Sequence, residues 1–286
     1  MSRPARVVVC GPAAWNHLIL LDRLPEPVPH MQFAERAWHT VGGTSAGKAL
    51  HLAGLGVDAR LHAPIGADDD GVRLRDALEA AGVSLAVVPS DRTERHVNLM
   101  TAAGERVSLY VATPSAPPAS HIAAAAGAVA AAEIAVVDLG ELGAALLDRA
   151  GGTPLWIDLH DYDGSSPYHE PFVRAADVVF LNDDRTVDPW ALMRSCLDRG
   201  PRLAVCTRGA DGAIALSAAG ERFEVAAAPA DVVDTNGAGD AFFAGFLAAT
   251  LDGAPIDAAL RAAASQARTA IQSRHLHPAL DAVLGA

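Results

Sequence analysis

The segment from Val232 to Phe246 holds the residue types that phosphoryl transfer requires. Its centre, residues 234–240, reads Asp-Thr-Asn-Gly-Ala-Gly-Asp, and a sequence of helical composition follows. Gly237 and Gly239 allow a tight turn that exposes backbone N–H groups, and the positive end of the next helix attracts an anion. Asp240 is placed to accept a proton from an attacking hydroxyl while the amides hold a phosphoryl group. The structural alternative is that Asp240 is only the N-cap of the helix.

This segment resembles the second signature of the PfkB carbohydrate-kinase family, the ribokinase-like kinases. The family pattern is D-T-x-G-A-G-D, and all six fixed positions match. The resemblance implies that Asp240 is the catalytic base and that Gly237, Ala238 and Gly239 form the anion hole. It also implies that Asp234 supports this loop, in some members beside a monovalent cation such as K⁺.

An earlier stretch, residues 42–56, nearly matches the P-loop motif. G-x-x-x-x-G-K is satisfied, but an alanine follows Lys48 where a P-loop needs a hydroxyl for Mg²⁺. The stretch resembles instead the family's first signature, in which the paired glycines, Gly42 and Gly43, let substrate hydroxyls approach backbone amides. The family usually has a substrate-binding Asn where this chain has Gly47. Lys48, a water molecule or a different substrate is expected to account for that change.

Further candidate substrate contacts lie in the amino-terminal half. Asn16 follows the first predicted strand, where the family often places an Asp that binds two sugar hydroxyls; the alternative is a turn residue at the strand end. Asn98 and Tyr110 alternate with apolar neighbours in a predicted hairpin, so they face either a substrate or solvent. The candidate substrate site comprises Asn16, Gly42, Gly43, Gly47 and Asp240 from the resemblance, with Asn98 and Tyr110 added as candidates from the strand pattern.

The nucleotide half of the resemblance rests on two turns. Residues 205–213 resemble the family's T-x-G-x-x-G-A turn, which approaches the phosphates and ribose of ATP. The nucleotide contacts implied are Asn182, Thr207, Gly209, Gly212, Gly237 and Gly239. The family also has an Asn-x-x-Glu motif that tunes Mg²⁺, and here Arg185 replaces the glutamate. Asp183 or Asp184 is expected to supply a carboxylate through water, since Mg²⁺ keeps several waters.

The elements that must position these residues follow an α/β rhythm. Short β-branched runs alternate with alanine- and leucine-rich segments, which predicts a mainly parallel sheet between two helical layers. The family resemblance implies that this is the ribokinase-like α/β/α sandwich. The predicted strands are residues 6–10, 60–63, 85–88, 134–138, 155–158, 178–181, 203–207 and 213–217. The predicted helices are residues 46–55, 72–81, 142–150, 189–199, 241–251 and 256–269.

Two regions depart from this rhythm. Gln32–Val41 and the pair Glu94–Thr101 and Glu105–Ala112 alternate polar and apolar residues, as half-exposed antiparallel strands do. We expect a small β lid, formed by about 12–41 and 94–112, over the carboxyl edge of the sheet, where open α/β sheets bind ligands. No linker divides the chain, so one domain over residues 1–286 is predicted. Exposed lid edges also predict a homodimer through the lid.

Charge and hydropathy exclude several classes. The chain has 22 Lys and Arg against 34 Asp and Glu, and the formal net charge of −12 disfavours binding to nucleic acid or an anionic membrane. The longest apolar run, residues 122–132, is mostly alanine and too short to cross a membrane, so it predicts an ordinary helix. Three cysteines without metal or disulfide spacing favour a cytoplasmic protein.

These patterns predict an ATP-dependent carbohydrate kinase that uses Mg²⁺ and phosphorylates a hydroxymethyl oxygen of a sugar. The first alternative is a nucleoside kinase of the same family, because aromatic side chains are available to stack on a base. Those aromatic residues are Trp15, Phe33, Trp38 and Tyr110. The second alternative is a catalytically silent sugar-binding protein, suggested by the departures at Asn16, Gly47 and Arg185.

Overall fold

The computed structural model describes residues 5–285, and two β-sheets organise them. The large sheet contains β1 (Val7–Cys10), β4 (Ala59–Gly66), β5 (Ser84–Ser90), β8 (Ile134–Val137), β9 (Leu155–Asp158), β10 (Val178–Asn182), β11 (Leu203–Thr207), β12 (Ala213–Ser217) and β13 (Arg222–Val225). The small sheet contains β2 (Ala14–Leu21), β3 (Arg36–Gly42), β6 (Glu94–Thr101) and β7 (Arg106–Ala112).

The large sheet is mainly parallel. Its order is β13-β12-β11-β10-β9-β8-β1-β4-β5, and its two antiparallel pairs are β11 with β12 and β12 with β13. The chain starts at the interior strand β1, extends on one side to β4 and β5, and then returns to β8 on the other side. Because the strand order reverses there, the carboxyl ends of β1, β8, β9 and β10 frame the crevice where such sheets bind ligands.

Helices cover both faces of this sheet. They are α1 (Thr44–Gly54), α2 (Asp69–Ala80), α3 (Ala119–Ala130), α4 (Glu141–Leu146), α5 (Glu170–Ala175), α6 (Pro189–Leu197), α7 (Ala238–Leu251), α8 (Ile256–Ile271) and α9 (Asp281–Leu284). Val7 and Val9 pack into one apolar cluster with residues of α1, α7 and α8, whereas Val8 and Cys10 pack into a second with residues of α3 and α6. Alternate side chains of one strand are thus buried on opposite faces, as a covered parallel sheet requires. The predicted three-layer sandwich is confirmed.

Strand β2 lies where the sequence suggested a turn. It pairs antiparallel with β3 and parallel with β6, and Asn16 is its third residue. The interpretation of Asn16 as a turn residue is therefore wrong. The predicted strand Gln32–Val41 also starts too early, because β3 begins at Arg36. The Gln32 amide instead donates hydrogen bonds to Asp22 Oδ1 and to the carbonyl of Arg23, both at 2.7 Å.

Two helices differ from their predicted bounds in ways that affect the site. The predicted helix 142–150 ends at Leu146, since residues 147–149 form a 3₁₀ turn. Helix α7 begins at Ala238 rather than at residue 241, which puts Asp240 inside its first turn. Within residues 5–285, no helix is long and apolar enough to cross a membrane. Cys10, Cys196 and Cys206 are all buried free thiols.

Candidate active site

A cleft of about 1470 Å³ separates the small sheet from the carboxyl edge of the large sheet. Its walls include Asn16, Asn98 and Tyr110 on the small sheet, and Asn182 and Thr207 at strand ends of the large one. Every predicted site residue lines this cleft except Gly47 and Asp234, which lie behind its surface. The fold therefore brings both sequence signatures to one place.

The amino terminus of α7 forms part of the cleft. Gly237 is the N-cap, with φ of 77°, in the left-handed region that favours glycine. A Cβ on Gly239 would meet no described atom within 4 Å, so this side of the turn is open. Among the described residues, the N–H groups of Gly239 and Asp240 donate to no protein acceptor. The turn therefore offers free donors at the positive end of a helix, which suits an anion.

Asp240 does not cap its helix, so the N-cap interpretation is wrong. Its Oδ1 accepts hydrogen bonds from Thr44 Oγ1 at 2.5 Å and from Lys48 Nζ at 3.2 Å, both on α1. Its Oδ2 accepts none from the described residues, and 13% of the side chain is exposed. Burial raises the pKa of Asp240, while Lys48 and Thr44 oppose that rise. This carboxylate has one oxygen fixed and one free, as a general base needs.

Lys48 is fully buried and lies among three carboxylates. Its ammonium is 3.0 Å from Asp138 Oδ1, 3.1 Å from Asp158 Oδ2 and 3.2 Å from Asp240 Oδ1. It does not line the cleft, so the expectation that Lys48 replaces the family's substrate-binding Asn is wrong. Burial lowers the pKa of Lys48, but the three carboxylates outweigh burial and the net shift is upward. Ser45 Oγ donates to the other Asp138 oxygen at 2.6 Å.

Asp158 has a lowered pKa in this cluster. Burial alone would raise this pKa. The interactions with His160 and Lys48 outweigh burial and lower it to about 2. His160 also lines the cleft, and its backbone N–H donates to Asp158 Oδ1 at 3.0 Å. Its φ of 53° is the sole positive value among the described non-glycine residues. Asp138 and Asp158, which end two predicted strands, were a sequence signal for this cluster, since the carboxyl ends of parallel strands meet at the binding edge.

The paired glycines allow close packing at the start of α1. A Cβ on Gly42 would lie 2.1 Å from Asn16 Nδ2, and a Cβ on Gly43 would lie 2.6 Å from the Pro12 carbonyl oxygen. Gly43 also has φ of 89° and precedes α1 as its N-cap. These glycines thus make room for the Asn16 amide and for the chain that follows β1. Both still line the cleft, so a substrate can reach them.

Asn16 carries an acceptor without a donor. The residue is 6% exposed, and no described group donates to its Oδ1. A buried amide oxygen left in this state costs roughly 1–3 kcal/mol. Because Asn16 lines the cleft, a ligand hydroxyl is the natural partner for this oxygen.

The inner face of the small sheet adds residues that sequence patterns missed. His96 Nε2 lies 2.8 Å from Glu94 Oε1, and its ring packs on Tyr110 with centroids 3.9 Å apart. Arg106 Nη1 donates to Asn236 Oδ1 at 2.6 Å and so bridges β7 to the glycine turn. Glu94 and His96 are four and two residues before Asn98, so strand alternation would have placed them on the same face.

The other end of the cleft is suited to a nucleotide. Asn182 and Thr207 are register partners at the ends of β10 and β11. Gly209 and Gly212 have φ of 52° and 84°, and a Cβ on Gly212 would lie 2.0 Å from the carbonyl oxygen of Val225. An apolar wall beside them fits a flat base. It consists of Ala227, Ala228, Pro229, Val232, Ala264, Ala267 and Ile271, none of which the sequence singled out.

Two carboxylates in the cleft have the properties of outer Mg²⁺ ligands. Asp183 and Asp184 line it, and neither side chain pairs with a described cation. Arg185 instead pairs with Asp161, with Nε 3.3 Å from Oδ2. Within the described part of the chain, no three His, Cys, Asp or Glu side chains are grouped to hold a metal alone. Mg²⁺ would therefore need phosphate and water ligands as well, and these are the ligands that Mg²⁺ usually has in kinases.

Asp234 lies directly behind the glycine turn. Its Oδ1 accepts the Asn236 N–H at 2.9 Å, and burial raises its pKa. The residue is 8% exposed and forms no ion pair with any described Lys or Arg. A buried carboxylate that receives only the backbone N–H groups of Asn236 and Thr235 from the described residues has acceptor capacity left for a cation.

Comparison with known proteins identifies the family. Residues 5–282 match the model of the pfkB family carbohydrate kinases. The chain belongs to this family. It is therefore a phosphotransferase with an alcohol group as acceptor, and the PfkB resemblance of the two signatures is confirmed.

Three relatives show how closely this PfkB kinase resembles known ones. It is 33% identical over 273 residues to acarbose 7(IV)-phosphotransferase from Actinoplanes sp., covering 91% of this chain and 90% of that one. It is 32% identical over 286 residues to ATP-dependent ribose-1-phosphate kinase from Halopiger xanaduensis, covering 89% and 88%. The solved structure of the microbiome-derived acarbose kinase Mak1 matches with a TM-score of 0.86 and 29% identity over 100% of both chains. The ribokinase-like fold is confirmed.

Proposed function

We propose that this protein transfers the γ-phosphoryl group of ATP to a hydroxymethyl oxygen of a sugar, with Asp240 as catalytic base. The observation that carries the proposal is the Asp240 carboxylate, held at Oδ1 and free at Oδ2, beside the unpartnered N–H groups of the glycine turn. Donors for a phosphoryl group and an acceptor for a proton thus lie at one point of the cleft. Phosphoryl transfer needs this combination.

In the proposed reaction, the acceptor oxygen forms a bond to the γ-phosphorus as the bond between that phosphorus and the β-bridging oxygen breaks. The hydroxyl proton passes to Asp240, and ADP departs with the electron pair of the broken bond. Gly237, Ala238 and Gly239 are the proposed anion hole for the transferring group. The N–H groups of Gly237 and Gly239 have no acceptor among the described residues, and that of Ala238 would exchange the Thr235 carbonyl, 3.3 Å away, for a phosphoryl oxygen. Mg²⁺, when bound, supplies charge neutralisation on the phosphates, and Asp183 and Asp184 are the side chains that would hold its waters.

We assign the small sheet the role of a lid within a single domain. Asn16, Asn98 and Tyr110 project from it into the cleft, and Arg106 joins its edge strand to the glycine turn. A closed lid would keep water from the γ-phosphate and so prevent wasteful hydrolysis of ATP. Thr207, Gly209, Gly212 and Asn182 are the proposed nucleotide contacts at the other end.

The substrate is best decided by an acceptor panel with ATP and Mg²⁺. The panel includes neutral monosaccharides, acarbose, ribose 1-phosphate and purine nucleosides, because relatives are named for acarbose and for ribose 1-phosphate. ADP release that depends on a sugar supports the proposal. A nucleoside that outcompetes all sugars would replace it with the alternative, although Trp15, Trp38 and Phe33 do not line the cleft and Tyr110 alone of the four aromatic residues does. Sugar binding without ADP release would favour the silent binding protein.

Asn16→Ala is expected to raise the acceptor KM about tenfold, the loss of one hydrogen bond, with a smaller change in kcat. The KM for ATP should stay as it is, because Asn16 lies at the lid end of the cleft. His17→Ala is the matched control, since the next side chain of β2 does not line the cleft. Steady-state kinetics in both substrates checks this. An unchanged acceptor KM in Asn16→Ala would remove Asn16 from the substrate site.

K⁺ is expected to stimulate turnover severalfold over a bulky organic cation at equal ionic strength. A cation beside Asp234 would neutralise a buried charge behind the anion-binding turn and strengthen that turn's hold on phosphate. Asp234→Asn should abolish the stimulation while the protein stays folded. Equal turnover in both salts would contradict the cation site and leave Asp240 untouched as the proposed base.

The homodimer remains a prediction. It is supported by the exposed edge strand β7, whose Val107, Leu109 and Val111 are each at least 40% exposed. A cytoplasmic location also remains a prediction, and the three free cysteines agree with a reducing compartment.

A further inference from the structure

The cluster around Lys48 joins four elements behind the cleft. Lys48 projects from α1, Asp138 and Asp158 follow or end strands β8 and β9, and Asp240 belongs to α7. The side chains of Lys48 and Asp138 have no exposed surface, and that of Asp158 is 10% exposed. One ammonium against three carboxylates leaves a formal charge of 1 − 3 = −2 in a mostly buried cluster, of which Asp158 and Asp240 line the cleft. Such an arrangement is costly unless each charge has a partner.

We propose that Lys48 is a positioning residue for phosphoryl transfer: it fixes Oδ1 of Asp240, presents Oδ2 to the acceptor hydroxyl, and keeps Asp240 ionised beside two other carboxylates. The proposal rests on the assignment of Asp240 as base. It concerns a residue that touches neither substrate, since Lys48 does not line the cleft.

The geometry of α1 supports this role. Thr44, Gly47 and Lys48 are spaced i, i+3 and i+4, so they share the helix face that meets Asp240. Thr44 and Lys48 both donate to Oδ1 and also contact each other. Gly47 leaves room for Oδ2, which a Cβ at this position would approach to 2.6 Å. One helical turn therefore determines how the carboxylate is oriented.

The electrostatic part of the proposal depends on every charge that faces Asp240. Helix α1 contributes Lys48, and the end of β9 contributes Asp158 and His160. Asp138, which follows β8, lies behind the ammonium of Lys48. Burial and Asp158 raise the pKa of Asp240, and Lys48 is the leading group that lowers it. Without Lys48, the three carboxylates would face one another without a positive charge between them. Asp240 would then retain a proton at pH values where it must be ionised to act as a base.

Two substitutions test this in opposite directions. Lys48→Met removes the positive charge, so the acid limb of the kcat/KM profile should move up by about one pH unit or more, with kcat recovering as the pH rises. Asp138→Asn removes a negative charge and should move the limb down by a similar amount. The amide oxygen can still accept from Lys48, and the amide N–H group can donate to Ser45 Oγ in place of the bond that Ser45 now donates. Lys48→Arg keeps the charge and should keep the limb near its wild-type position.

The double variant Lys48→Met with Asp138→Asn restores the formal charge of the cluster to −2. Its acid limb should therefore return toward that of the wild type. A merely structural role for Lys48 would lower kcat equally at all pH values and would not be rescued in this way. KM for both substrates should stay near wild type in each variant.

Carbon NMR of the Asp240 carboxyl group, in protein labelled at aspartate, gives a second readout that does not depend on turnover. Asp240→Asn identifies the signal. Midpoints that rise in Lys48→Met and fall in Asp138→Asn support the effect of Lys48 on the ionisation of Asp240, and this readout does not depend on which residue is the base. If Lys48→Met fails to fold, Asp138→Asn decides alone. Midpoints and acid limbs that do not move in the variants that fold would overturn the proposal.

Discussion

Asp240→Asn is expected to lower kcat about a thousandfold, within the range that general-base catalysis contributes. An asparagine has the same shape, and its Oδ1 can still accept from Thr44 and Lys48, which now hold the carboxylate at 2.5 Å and 3.2 Å. Its amide nitrogen would replace Oδ2, and an amide nitrogen cannot accept the proton of the attacking hydroxyl. The variant therefore separates proton acceptance from geometry.

Binding should survive this change. The free N–H groups of the glycine turn remain, and the nucleotide wall lies elsewhere in the cleft. Calorimetry with ATP and with the chosen acceptor is the control, and both affinities should stay within a few-fold of wild type. Turnover at the wild-type rate in Asp240→Asn would show that the proton goes to another group or directly to phosphate.

Gly47→Ala is expected to lower kcat by about a hundredfold, although Gly47 does not line the cleft. The added Cβ would lie 2.6 Å from Asp240 Oδ2 and 3.0 Å from its Cβ and Cγ. Asp240 cannot simply swing aside, because Thr44 and Lys48 pin its other oxygen. The base must therefore leave its place or break these contacts.

The same reasoning gives an unusual expectation for Gly47→Asn, which would restore the residue that the family usually has. It should damage turnover at least as much as Gly47→Ala, since the larger side chain meets the same carboxylate. Gly127→Ala in α3 is the matched control, because a Cβ there meets nothing within 4 Å. Wild-type turnover of Gly47→Ala, with Gly127→Ala also unaffected, would show that Asp240 does not work from this position.

The sequence was sufficient for the layers of the fold and for the cleft's two glycine turns. Alternating apolar runs located the parallel strands, and the D-T-x-G-A-G-D pattern located Asp240, because both depend on local sequence. Strand β2 was missed because Gly11 and Pro12 precede it and imitate a turn. The role of Lys48 could not be predicted, since its three partners are 90, 110 and 192 residues away in the chain.

The departures from the family pattern show why an isolated residue change is hard to interpret. Gly47 suggested a lost substrate contact, but the structure fills that position with the Asp240 carboxylate. Arg185 suggested weakened metal binding, but it pairs with Asp161, while Asp183 and Asp184 remain in the cleft. The group that fills the space at Gly47 comes from another element and leaves no mark on the local sequence, whereas the carboxylates beside Arg185 are its neighbours in the chain.

The most direct test is a single turnover of limiting ATP by excess enzyme with Mg²⁺ and the acceptor chosen from the panel, followed by phosphorus NMR. For the wild type, we expect the γ-phosphoryl group to appear as a sugar phosphomonoester, with ADP in equal amount. For Asp240→Asn, we expect ATP to remain at the same time point although both ligands bind. Product formation at the wild-type rate in the variant, or inorganic phosphate in place of the sugar ester in the wild type, would contradict phosphoryl transfer with Asp240 as the base.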